Sequence, residues 1–129
     1  MQIAFLMDPL VSIDPINETT SYLMYECNQR GHTVYFLEPH DIYIRENEVV
    51  ARMRNISVAP NLSMKKYWRS LIQCLKKDEL IFETIADLDA LFLRKNPPLV
   101  YQTMEFLSSV SDKVFMINNT TGQIKANSK

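Results

Sequence analysis

Leu93-Arg94-Lys95-Asn96-Pro97-Pro98 packs two cations, an amide and two prolines directly behind a short apolar run, Leu91-Phe92-Leu93. Arg94 can hold a carboxylate or phosphate bidentately, and Lys95 can add a point charge. Such a segment binds ligands when it leaves a buried strand, because open α/β sheets bind them outside the carboxyl ends of their strands. A second segment of this kind stands near the start, where Ile3-Ala4-Phe5-Leu6-Met7 runs into Asp8-Pro9. Glu38-Pro39-His40-Asp41 and Asn118-Asn119-Thr120 follow two further apolar runs. The cations also have a structural reading, in which Arg94 pairs with Asp8 or Asp41 and ties neighbouring loops together. His40 beside Asp41 resembles a base with its orienting partner. No nucleophile stands at a matching spacing, so a surface histidine is the plainer reading.

These segments need strands to place them. Residues 2–7 are apolar and short enough for a buried strand. Asn17 to Arg30 reads as a helix with Leu23 and Cys27 on its apolar face, Asn17 as cap and Gly31 in the left-handed position after its end. His32 to Leu37 is β-branched and aromatic and reads as a second strand, completing a parallel strand–helix–strand unit. Ile42-Tyr43-Ile44 and Val49 to Met53 flank the polar turn Arg45-Glu46-Asn47-Glu48 and read as a small hairpin, with residues 54–58 a candidate extension. The pattern then predicts a helix from Ser63 to about Phe82, with Trp68, Leu71, Ile72 and Leu75 inside and five Lys and Arg outside. A strand from Ala90 to Leu93, a helix from Pro98 to about Ser111 and a strand from Val114 to Ile117 follow. Asn118 to Thr121 resembles a helix start.

Composition removes several classes. The 129 residues suffice for one domain with a core, and a net charge of -1 argues against a nucleic-acid binder driven by bulk electrostatics. The two glycines, Gly31 and Gly122, cannot supply a Walker A loop or a dinucleotide fingerprint. No apolar run approaches the ~20 residues that span a bilayer, and no signal peptide is legible, so a cytoplasmic protein away from membranes is expected. Cys27 and Cys74 make no metal-spaced pair and read as free thiols in helical patterns.

Four landmarks carry a likeness: Ile3 to Pro9, Arg30-Gly31-His32, Asp41-Ile42-Tyr43 and Leu93 to Pro98. In order and spacing they resemble the N-terminal domain of bacterial glutathione synthetase, over essentially the whole chain. The resemblance implies a pre-ATP-grasp domain over residues 1–129: an α/β fold with an open, mainly parallel Rossmann-like sheet, helices on both faces and a small β-hairpin. Lid and ATP-grasp domains would follow it and are absent from this chain. The family enzyme joins γ-glutamylcysteine to glycine. ATP phosphorylates the dipeptide's carboxylate, the glycine amine attacks the acyl phosphate, and Mg2+ balances the phosphate charge.

By this resemblance Met7, Asp8, Pro9, Arg94, Lys95, Asn96 and Pro97 face the dipeptide, and Lys129 touches ATP. No residue here is expected to be catalytic or to hold a metal. ATP and Mg2+ belong to the full-length enzyme, with neither expected to bind this chain tightly alone, and a homo-oligomer is compatible with the family. Two departures stand out. The family usually has Asp where this chain has Asn96, and the stretch Asn118 to Gln123 replaces an Asn-x-Pro segment. Three readings therefore stand: the N-terminal domain of a glutathione-synthetase-like ligase, inactive alone; a stand-alone binding module on the same fold; or the N-terminal domain of another ATP-grasp carboxylate-amine ligase.

Overall fold

A computed structural model describes residues 1–10, 19–77, 79–94 and 101–117. Its strands are β1 (Gln2–Leu6), β2 (Thr33–Leu37), β3 (Ile42–Arg45), β4 (Glu48–Asn55), β5 (Ile81–Thr84), β6 (Ala90–Leu93) and β7 (Phe115–Ile117). Its helices are α1 (Thr19–Gln29), α2 (Met64–Lys76) and α3 (Tyr101–Ser108).

The apolar run of β1 has no polar face because both of its faces are covered. β1 pairs in parallel with β2 on one edge and with β6 on the other, and β7 extends β6 in parallel. The full order is β3-β4-β2-β1-β6-β7, with β5 also on β4. Alternate side chains feed two cores. Ala4, Leu6, Leu37, Leu91 and Leu93 join Met104 and Leu107 of α3 on one face. Ile3, Phe5, Val34 and Phe36 join Met24 of α1 and Tyr67 and Leu71 of α2 on the other. The expected α/β sheet with helices on both faces is what the chain forms.

The end of α1 follows from Gly31. It takes φ 82°, the His32 N–H donates to the Cys27 carbonyl and the Gly31 N–H to that of Asn28, both at 3.1 Å. These two bonds make a Schellman cap. The inner face of α1 differs from the sequence reading. Thr20, Ser21, Met24 and Asn28 are buried, while Leu23 and Cys27 are half-buried. Polar residues turn inward because they hold loops: the Asn28 carboxamide oxygen accepts from the Val58 N–H at 2.9 Å.

The second helix is shorter than the pattern predicts. Ser63 caps it by accepting from the Lys66 N–H at 3.3 Å, and it stops at Lys76, not Phe82. Residues 81–84 are instead β5, antiparallel to β4, with Ile81 opposite Met53 and Thr84 opposite Val50. The helical reading, with Trp68, Leu71, Ile72 and Leu75 on its inner face, runs on through residues 77–82. The β-branched and aromatic run Ile81-Phe82-Glu83-Thr84 suits a ladder better once a partner strand is present. The hairpin is therefore the first part of a three-stranded antiparallel unit.

Its turn also has a defined geometry. Arg45 pairs with Glu48, and Glu46 and Asn47 between them take φ 51° and 67°. Two positive φ values in a two-residue loop are the type I′ signature, which favours Asn then Gly. Glu at the first position is strained. Replacing Glu46→Asn should raise the unfolding free energy by about 0.5–1 kcal/mol. A urea titration checks this, and a lower midpoint would show that the turn is of another type.

Tyr67 is buried between the helices, with its ring edge-on to that of Tyr25 at 5.2 Å. Its hydroxyl has no hydrogen-bond partner among the described residues. Burial, helped by the nearby Cys27 and Cys74 thiols, pushes its pKa up. Burial also raises Cys27, against the pull of Arg30, and raises Tyr35 beside Glu83. In each case the fold favours the protonated form. That stabilisation is complete below the ordinary values, 9.0 for the thiol and 10.0 for the phenols, and is lost as pH rises through the raised folded values. Tyr67→Phe removes an unpartnered buried polar atom, so it should stabilise the fold by about 1 kcal/mol at neutral pH. It should also flatten the fall of Tm above pH 10. Melting curves at neutral and alkaline pH measure both effects, and an equally steep alkaline loss in the variant would contradict the assignment.

Candidate functional site

Three loops leave the sheet at one level because the ladder fixes where they start. Leu6 is in register with Leu37 on one side and Leu93 on the other. One step further, the Met7 N–H donates to the Leu37 carbonyl at 3.1 Å and the Arg94 N–H to the Leu6 carbonyl at 2.8 Å. Met7-Asp8-Pro9, Glu38 and Arg94 therefore meet at the carboxyl edge of the parallel strands. Met7 is 1% exposed and belongs to the core, so it offers that edge its backbone and not its thioether. Asp8 is half-buried and Pro9 exposed.

Arg94 is half-buried, and its Nε donates to the Thr20 hydroxyl at 3.1 Å. Thr20 is 5% exposed in the first turn of α1. A guanidinium has five N–H donors and Thr20 takes one of them. The Nη groups make no hydrogen bond to the other described residues. A planar anion fits that arrangement.

The second charged node has a different character. Asp41 closes a single 3-10 turn, Pro39–Asp41, and its side chain is 5% exposed. Its Oδ2 accepts from the Glu38 N–H at 2.9 Å, and its Oδ1 lies 3.3 Å from Arg52 Nη2. His40 Nε2 is 3.6 Å from Oδ1, beyond hydrogen-bond range, and the His40 side chain is exposed. Both carboxylate oxygens are thus engaged in fastening the β2 exit loop to the hairpin. Asp41→Ala should cost about 2 kcal/mol, mostly by orphaning the partly buried Glu38 N–H. Arg52→Ala, which removes a partly exposed partner, should cost less than about 1 kcal/mol. Chemical denaturation of the two variants separates these contributions, and equal losses would mean that the ion pair dominates.

A cavity of about 550 Å³ opens at the opposite edge of the sheet. Its apolar floor includes Ile3, Leu23, Phe92 and Phe115. Its rim charges are already engaged: Arg30 with Glu26 at 2.9 Å, the terminal ammonium with His32 Nδ1 at 3.3 Å, and Asp89 with the Gln2 N–H at 2.6 Å. At the carboxyl edge, Pro9, Leu10, Phe36, Glu38, Arg54 and Leu75 line about 230 Å³. That is below the ~300 Å³ at which small-molecule sites usually begin, as expected for one wall of a cleft. Among the described residues no three His, Cys, Asp or Glu side chains are placed to hold a metal ion, and no helix is long and apolar enough to cross a membrane.

Of the residues singled out in the sequence, Met7, Asp8, Pro9 and Arg94 come together at this edge. Lys95, Asn96, Pro97 and Lys129, like the Asn17 cap and the Asn118 to Thr121 helix start, lie outside the described residues. Two contributors went unread. Arg52 was accessible, because a turn on Glu46 and Asn47 carries the Ile42–Ala51 register on to Asp41 and Arg52. Thr20 was not, because it meets Arg94 across 74 residues and only the order of strands reveals the contact.

The family model described as "Prokaryotic glutathione synthetase, N-terminal domain" matches residues 1–123. Among curated relatives, the glutathione synthetase of Coxiella burnetii is 30% identical, over 100% of this chain and 39% of the relative. That of Synechococcus elongatus is 28% identical, over 100% and 41%, and that of Salmonella typhimurium 26%, over 100% and 39%. The chain thus spans about two fifths of the length of the curated relatives it matches.

Proposed function

The chain belongs to the prokaryotic glutathione synthetase N-terminal domain family, and we propose that it forms the dipeptide-facing wall of an ATP-dependent ligase joining γ-glutamylcysteine to glycine. The observation that carries this reading is Arg94: a side chain held at the carboxyl edge of the sheet, beside Met7-Asp8-Pro9, whose Nη groups make no hydrogen bond to the other described residues. In this reading Arg94 receives a carboxylate of the acidic dipeptide. Asp8, Pro9 and the backbone of Met7 line the same edge, and Lys95, Asn96 and Pro97 are proposed as further dipeptide contacts. Lys129 contacts ATP.

The chain's part is binding and orientation. Asp41 takes no part in chemistry at this edge, since both of its oxygens are engaged, with the Glu38 N–H and Arg52. ATP, when bound, supplies the activation of the carboxylate. Mg2+ does not fit the described residues, which offer no cluster of carboxylates, so no step here depends on it. The setting proposed is the cytoplasm.

In the complete gene product that carries this chain, Arg94→Ala should raise KM for the acidic dipeptide roughly 10- to 100-fold, the worth of a charge-assisted bidentate contact. KM for ATP should change less than about twofold, since uniform loss of one substrate's binding leaves the other in place. Steady-state kinetics with each substrate varied in turn gives both values. A fall in Tm with unchanged dipeptide KM would make Arg94 a loop tie.

A further inference from the structure

We propose that Thr20 is the positioning residue of this site: its hydroxyl accepts the Arg94 Nε–H and so dictates how the guanidinium meets its anion. The proposal rests on the reading of Arg94 as the dipeptide contact and adds the residue that orients it.

The geometry argues as follows. The Arg94 backbone is fixed by its N–H bond to the Leu6 carbonyl at 2.8 Å. The side chain beyond it has four rotatable bonds and would otherwise sample many directions. Thr20 removes that freedom with one contact at 3.1 Å, from a helix residue that is itself 5% exposed. A guanidinium can receive a carboxylate side-on, through Nε and one Nη, or end-on, through the two Nη groups. With Nε held by Thr20, only the end-on approach remains. Thr20 thus selects the orientation of the bound carboxylate as well as holding the cation ready for it. A Thr at this place is otherwise hard to account for. A buried first-turn position facing a core would favour an apolar side chain, and Thr20 is turned inward beside Ser21 and Met24.

The test is a double-mutant cycle in the complete gene product, with KM for the acidic dipeptide, KM for ATP and kcat measured for each variant. Thr20→Val keeps the shape and removes the acceptor; Thr20→Ser restores it. Thr20→Val should raise the dipeptide KM about fivefold, less than the full worth of a hydrogen bond to a charged group because the loss acts only through the orientation of Arg94, with kcat and KM for ATP within about twofold. Thr20→Ser should lie within about twofold of the parent. In an Arg94→Ala background, Thr20→Val should change the dipeptide KM no further, because its target is gone.

An equal rise in both backgrounds would overturn the proposal by showing that Thr20 acts on the fold or directly on the substrate. So would a Ser variant as impaired as the Val variant, or a Val variant like the parent. An unchanged dipeptide KM in Arg94→Ala alone would remove the reading of Arg94 and the role of Thr20 with it. A large effect of Arg94→Ala beside an innocuous Thr20→Val would remove only Thr20. Should Thr20→Val not fold, the same cycle with Thr20→Ala keeps every one of these outcomes readable.

Discussion

The parallel ladder of β1 is the constraint on which the remaining geometry depends. β1 is hydrogen-bonded along both edges and covered on both faces, so its register cannot drift. A slip of one residue would exchange Ala4 and Leu6 with Ile3 and Phe5 and spoil both cores at once. The same ladder ends at Leu6, Leu37 and Leu93 together. The exit loops are therefore neighbours by construction, and the polar residues that follow each strand share one edge.

Those polar residues fall into two kinds. Asp41 engages both of its carboxylate oxygens, one with the Glu38 N–H and one with Arg52. It is a fastening, and it draws the antiparallel unit against the end of β2. Arg94 is braced by a neutral hydroxyl, which stabilises its orientation without neutralising its charge. The sequence allowed a tie between Arg94 and Asp41. The structure gives Asp41 a different cation, Arg52, which stands opposite it in the hairpin register. A cation braced by a neutral partner keeps its field for a ligand.

Legibility followed the range of the physical signal. β1, β2 and β6 were readable because a strand buried on both faces is an uninterrupted apolar run, and the Gly31 cap was readable because only glycine takes its φ easily. The shared edge of Met7-Asp8-Pro9 and Arg94, the candidate site, was readable as the polar punctuation of those runs. Three features were not. β5 depends on a partner 28 to 34 residues away in sequence, from Ile81 opposite Met53 to Thr84 opposite Val50, with a helix between them. The inner face of α1 is polar because of what Thr20 and Asn28 grip, which no hydrophobic periodicity reports. The bond between Thr20 and Arg94 exists only because β6 lies beside β1.

That adjacency has a kinetic side. Pairing β1 with β2 closes a loop of 31 residues, as at Met1 and His32, whereas pairing β1 with β6 brings together groups 87 apart, as at Gln2 and Asp89. The longer closure costs more chain entropy and contributes most to a high contact order. On that ground the edge that carries Arg94 should assemble late. By the same argument it should open early in sub-global unfolding. The amide of Arg94, bonded to Leu6, should then exchange its hydrogen sooner than that of Met7, bonded to Leu37. The candidate binding edge and the longer of these two chain closures lie on the same line.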